Sequence, residues 1–245
     1  MTSANLLTLR EQLLASVALI DAEIAAATGV ETALDLPDPA AFFDHVRGRL
    51  WPRLSVSQVE GCERIIGMCG RARLGLARTA YVLATAYHET GYAMQPVREK
   101  GGEAYLSKYD TGRLAKVLGN TPEADGDGIL FAGRGDVQLT GRRNYQHATV
   151  RLRALGILSD RESLIETPDL ALRPDVSAAN LVYGMAEGWY ARDGRGLDAY
   201  LPATGTATGH AFERARATVN GSDRARDIAG YAVIFQAALR AGGMA

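Results

Sequence analysis

From about residue 40 to the C-terminus, apolar residues recur at i, i+3 and i+4 with few breaks, and this restricts the chain to a mainly α-helical fold. The pattern runs through 39–51, 55–72, 75–89, 143–157, 174–193 and 222–241, with Ser55, Asp175 and Ser222 as expected helix starts. Strand-like alternation is nearly absent. Two stretches interrupt the helices: the glycine-rich 119–141, "GNTPEADGDGILFAGRGDVQLTG", and 201–209, "LPATGTATG". A connection as long as the first, inside a compact domain, points to function or to disorder. No internal repeat is present, and 245 residues suit one large domain with an appendage.

That appendage is the N-terminus. Leu6, Leu9, Leu13, Val17, Ile20 and Ile24 form the stripe of an amphipathic helix over 1–28, and 29–40, with Pro37 and Pro39, reads as a stiff linker to the main domain over 41–245. Its longest uncharged run, Gln12 to Ile20, is too short for stable membrane insertion, and Asp21 stands where a signal peptide needs small residues. Self-association through this helix and docking on its own domain or on the cell envelope all fit the spacing.

Composition excludes more than it selects. A net charge of −1 gives no reason to expect nucleic acid. One basic stretch, with Arg134, Arg142, Arg143, Arg151 and Arg153 against Asp136, reads as a solvated helix face or as a contact for an anionic or polar polymer. Cys62 and Cys69, seven positions apart in one helix, would hold their α-carbons about 10 Å apart. A disulfide needs less than about 7 Å, so they read as buried, reduced thiols.

Several familiar patterns fail on inspection. His88-Glu89 lacks a zincin's second histidine, since Tyr92 stands there, and the four histidines are scattered, so no metal site is expected. "GRGDVQ" has Gln138 where a dinucleotide fingerprint needs glycine, and no cofactor is expected. "DGDG" at 125–128 lacks a calcium loop's closing glutamate, and Arg134-Gly135-Asp136 matches an adhesion signal in letters only.

One constellation survives. Glu89 ends an apolar helix that Gly91 and Pro96 forbid from continuing, so Glu99 can face it across a cleft. The helix's negative end, with Tyr92 and Met94 as apolar neighbours, is expected to favour the protonated form of Glu89. Two carboxyls, one acid and one base, set about 6.5–9.5 Å apart make an inverting glycosidase. Glu103, Asp110 and Asp127 are the nearby alternatives to Glu99 as base.

"AYHETGYAMQPVREKGG" followed by "FAGRGDVQLTGRRNY" resembles glycoside hydrolase family 19, the chitinases and phage endolysins of lysozyme-like fold. The resemblance covers roughly residues 40–240. It implies a helical, bilobal domain whose glycine-rich loop and small β region line the cleft. Carried over by position, it makes Glu89 the general acid, Glu99 the general base and Thr140 the hydroxyl that shares the attacking water. Gln138 and Asn144 become sugar-contacting amides, as does Asn220, although Ser222 departs from the family's closing glycine. Gly133 and Gly135 are expected to let backbone approach a sugar ring, Arg134 to brace the loop, and Tyr145, Trp189 and Tyr190 to be core.

Plant-type members carry several disulfides and long cleft loops. This chain has neither, which points to the endolysin branch. The implied substrate is peptidoglycan glycan, cut at the β-1,4 bond between N-acetylmuramic acid and N-acetylglucosamine. The implied location is the host bacterial cytoplasm until a holin opens the way to the wall. Chitin oligosaccharides are the alternative substrate, and a catalytically silent glycan-binding or virion protein is the alternative of another class.

Overall fold

The computed structural model describes residues 36–219 and 221–245; the helix expected over 1–28, the linker up to residue 35 and Asn220 lie outside the described residues. In chain order come α1 (Pro39–Val46), α2 (Val56–Arg71), α3 (Leu76–Glu89) and strand β1 (Val97–Arg98). Three short helices follow, α4 (Glu103–Leu106), α5 (Gly112–Leu118) and α6 (Asp127–Leu130), then strand β2 (Arg134–Gly135). The chain closes with α7 (Arg142–Ala154), α8 (Pro174–Ala186), α9 (Gly209–Ala215) and α10 (Ala225–Ala241). The fold is mainly α. The two strands pair antiparallel, Val97 with Gly135 and Arg98 with Arg134.

Local chemistry explains most boundaries. Ser55 opens α2 with a capping box, its hydroxyl accepting from Gln58 N while the Gln58 side chain accepts from Ser55 N. Two expected caps are corrected. Asp175 sits in the first turn of α8, whose N-cap is Arg173 ahead of Pro174. α10 begins at Ala225 rather than near Ser222, because Arg224 adopts the left-handed region at φ 55° and breaks the helix there. α8 also ends at Ala186, short of Asp193. Gly188 turns at φ +74°, and the Tyr190 ring folds back onto Gly184, where a Cβ would stand 2.3 Å from it.

The core is two apolar clusters that share α8. Ala178, Leu181, Val182 and Met185 face the larger one, built from α1, α2, α3, α9 and α10; Val176 and Ala179 face the smaller, with Phe131, Leu139, Tyr145 and Leu152. α3 runs through the larger cluster and is buried on all sides from Thr79 to Tyr87. Its alanines at 77, 80, 84 and 86 allow α10 to approach, and its threonines hide their hydroxyls by bonding Leu74 O and Tyr81 O. Phe235 of α10 is fully buried against Phe42, Trp51 and Tyr87, a burial that contributes about 1.5–3 kcal/mol.

The basic stretch turns out to be clamps more than a polymer-binding face. Arg134 is buried, Arg142 pairs with Asp127, Arg151 pairs with Glu187, and Arg153 donates to Glu162 O. Of these five arginines, only Arg143 is exposed and without an ion pair to the described residues. Both cysteines are buried and free, as their spacing predicts.

Candidate active site

Glu89 is the last residue of α3, and the stop behind it is a Schellman turn. Gly91, at φ +59°, donates to His88 O, and Tyr92 N reaches back to Tyr87 O at 2.8 Å. The Tyr92 ring packs on Tyr87 with centroids 4.5 Å apart, and Thr90 Oγ1 takes the Met94 N–H. The sequence places this stop correctly. The surroundings it assigns to Glu89 need correction. Arg216, 1% exposed, brings its Nη1 to 2.9 Å from Glu89 Oε1. The two meet off the hydrogen-bond axis, so the contact is an ion pair rather than an aligned bond. Arg216 Nε donates to Asp223 O at 2.9 Å, which fixes the guanidinium from behind. The buried hydroxyl of Tyr81, one more unpartnered polar atom, feels both charges; burial is the larger effect and pushes its ionisation upward. At His88, the residue before Glu89, burial lowers the pKa.

Glu99 follows β1 and extends its pairing. Its N–H donates to Gly133 O at 2.7 Å, and Gly133 N donates back to Glu99 Oε2 at 2.9 Å. The "GRGDVQLT" loop closes on itself through reciprocal bonds between Arg134 and Leu139. Buried charges then pin it to the lobes. Arg134 donates to Asp169, to the carbonyls of Leu130 and Ala132 and to the Tyr145 hydroxyl, which is the bracing role expected of it. Asp136, wholly buried, accepts from Arg64 at 2.6 Å and from the Ser177 hydroxyl. With Arg134 and Asp136 both inside, the tripeptide cannot serve adhesion.

Gly133 is where the site converges. A Cβ built on it would lie 2.7 Å from Gln138 Oε1, 3.1 Å from Glu99 Oε2 and 3.2 Å from Thr140 Oγ1. Three side-chain oxygens of three expected site residues therefore crowd one bare α-carbon. Gly135 is likewise needed for close packing, at φ +89° with Ala171 O and Ser177 Oγ each 3.0 Å from a would-be Cβ. Gly133 thus leaves room for the three oxygens, and Gly135 for the packing of the loop on Ala171 and Ser177.

Gln138 is also corrected in part. It adopts φ 55°, and its Nε2 donates to Val97 O and Gly135 O, both at 3.1 Å, so only its carbonyl oxygen is left to face a ligand. It cannot pair the carbonyl and amide of an N-acetyl group at once. Thr140 Oγ1 donates to Gln138 O at 2.8 Å and keeps its lone pairs free. Asn144 Nδ2 holds Thr140 O at 2.8 Å, which links it to the same group. Asn220 lies outside the described residues. Glu99, Thr140, Gln138 and Asn144 are thus brought together, while Glu89 has its own partner in Arg216.

Two of the three rival bases are engaged elsewhere. Asp127 is held by Arg142, which lowers its pKa, and buried Asp110 accepts from Gly128 N. Glu103 is exposed at the start of α4. Two residues the sequence did not single out touch the carboxylates: Arg216 at Glu89, and Tyr109, whose hydroxyl donates to Glu99 Oε1 at 3.1 Å. An arginine 127 positions downstream of its partner carries no local signal.

No family model matches the sequence. Among solved structures the chain is similar to chitinase C from Streptomyces griseus HUT6037, with 19% sequence identity, a TM-score of 0.47, and coverage of 85% of this chain and 77% of that one.

Proposed function

We propose that this chain is a glycoside hydrolase of the endolysin type, which cleaves the β-1,4 bond between N-acetylmuramic acid and N-acetylglucosamine in peptidoglycan with inversion. The observation that carries the reading is the convergence of Glu99 Oε2, Thr140 Oγ1 and Gln138 Oε1 on Gly133. All three atoms accept hydrogen bonds, and a water has two protons to give. Glu99 takes one as general base, Thr140 holds the other, and the oxygen is left free to attack the anomeric carbon. Glu89 donates its proton to the departing glycosidic oxygen. Its side chain keeps 18% of its surface open, and Arg216 fixes its position. General acid and base assistance of this kind is worth about 10²–10⁴-fold each.

The choice of polymer leans on cysteine usage. Both thiols are buried and unpaired, whereas plant-type members of the resembling family carry several disulfides. The test is to digest isolated Gram-negative sacculi with the wild type, Glu89→Gln and Glu99→Gln, and to analyse the fragments by mass spectrometry and NMR. The expected products reduce at N-acetylmuramic acid, appear first as the α-anomer, and vanish in both variants. Fragments reducing at N-acetylglucosamine would move the bond. Cleavage of chitin oligosaccharides with intact sacculi would replace the substrate. No cleavage of either polymer would remove the enzymatic reading.

A further inference from the structure

A general base must do more than carry charge; its carboxylate plane has to be fixed so that one lone pair meets the water. The Gly133 N–H fixes only Oε2 of Glu99. One donor on one oxygen leaves the carboxylate free to turn about its last side-chain bond. Oε1 is held by one side-chain donor among the described residues, the hydroxyl of Tyr109 at 3.1 Å. We propose that Tyr109 is a positioning residue, which sets the carboxylate plane of Glu99 for water activation; this rests on the reading of Glu99 as the base.

The geometry around Tyr109 suits that task. It ends a short 3-10 turn, Ser107–Tyr109, and its carbonyl accepts from Asn120 Nδ2 at 2.9 Å. The same amide's oxygen accepts from Arg142 N at 2.8 Å, which ties the tyrosine to the start of α7, two residues after Thr140. On the other side, its Cβ packs against Gly128, where an added Cβ would stand 3.0 Å away. Both flanks of the phenol's backbone are therefore pinned to the loop that carries Thr140. The hydroxyl also keeps its proton at neutral pH, since burial and the neighbouring Glu99 charge push its ionisation up against the opposing pull of Lys108. Of the roughly four acceptor directions on the carboxylate, Tyr109 and Gly133 use one on each oxygen, which leaves a free lone pair on Oε2 toward Thr140.

Tyr109→Phe removes the hydroxyl and nothing else. With soluble peptidoglycan strands as substrate, the expected result is a kcat lower by about 10–100-fold with KM within about twofold, in line with the rate cost of a misplaced reacting group. The melting temperature should change little. In a cycle with Glu99→Gln, the double variant should be no slower than Glu99→Gln, because the hydroxyl acts only through that carboxylate. A Tyr109→Phe enzyme with wild-type kcat, beside an inactive Glu99→Gln, overturns the role of Tyr109 and leaves the base assignment standing. Additive losses, or a KM that rises while kcat holds, also overturn it. If Glu99→Gln retains wild-type turnover, or the wild type cleaves nothing, the base assignment itself fails and this role fails with it.

Discussion

Replacing Gly133 with alanine tests the convergence of the three oxygens most directly. Gly133 has no left-handed φ, so alanine fits the backbone, and the N–H that binds Glu99 is kept. The added methyl meets Gln138 Oε1 at 2.7 Å, well inside ordinary contact, with Glu99 Oε2 at 3.1 Å and Thr140 Oγ1 at 3.2 Å. A free glutamine would swing away at little cost. Gln138 cannot, because its Nε2 is committed to Val97 O and Gly135 O. Overpacking of this kind costs about 1–3 kcal/mol. Alanine's stiffer unfolded chain returns about 0.4–1 kcal/mol. The expected net loss is about 1–2 kcal/mol, or a melting temperature lower by roughly 2–8 °C in a domain of this size. Turnover should fall much further, by about 100-fold, since a displaced catalytic group is penalised steeply. Thermal melts, pelleting with sacculi and initial rates of dye release from labelled wall would separate the three quantities. A stable Gly133→Ala protein that binds wall and turns over at the wild-type rate would refute the link between this cluster and the chemistry.

Three other perturbations have definite outcomes. Arg64→Met leaves the Asp136 carboxylate buried with only the Ser177 hydroxyl donating to it, and should cost about 3–5 kcal/mol in chemical denaturation. Asp127 is held below its usual range first by Arg142, so its contribution is fully present above about pH 3.9, the unfolded value, and is lost as pH falls through the lower folded one. Asp127→Asn should therefore be less stable than wild type at pH 7, with the gap closing in acid; a gap independent of pH would show that the pair contributes nothing. Burial pushes the Cys69 thiol up to about 12 and moves Cys62 upward as well, so a thiol reagent at pH 8 should label none in the native protein and two after denaturation.

How much of this could be read from the chain depends on the range of each interaction. α2, α3 and α7 are long enough for their apolar faces to show, and Ser55 and Gly91 mark ends through bonds made within a few residues. α4 and α6 span four residues each, barely one turn, and strands of two residues show no alternation to detect. The early end of α8 had a local mark: Gly188 turns at φ +74° and Trp189 N reaches back to Gly184 O at 2.8 Å, the same kind of glycine stop that ends α3, but the apolar spacing runs on past it and concealed it. Glu99 was reached through the break at Gly91 and Pro96, and Thr140 and Gln138 only through the resemblance; their meeting at Gly133 follows from a loop closed by its own backbone bonds.

Glu89 marks where local reasoning stops. The end of the helix and the apolar residues after it argued for a carboxyl in dry surroundings, but Tyr92 is exposed and the neighbour that touches Glu89 is the buried Arg216. The decisive neighbour comes from the 3-10 turn Arg216–Thr218 that follows α9, and the Asp223 carbonyl ahead of α10 holds the Arg216 guanidinium, which reaches the end of α3. The same backbone turn at Arg224 that defeated the expected start at Ser222 follows directly on that carbonyl. The misplaced helix start and the missed partner for the proposed acid thus come from neighbouring residues, Arg224 and Arg216, and the ion pair that Arg216 makes spans more than a hundred positions, beyond the reach of local pattern.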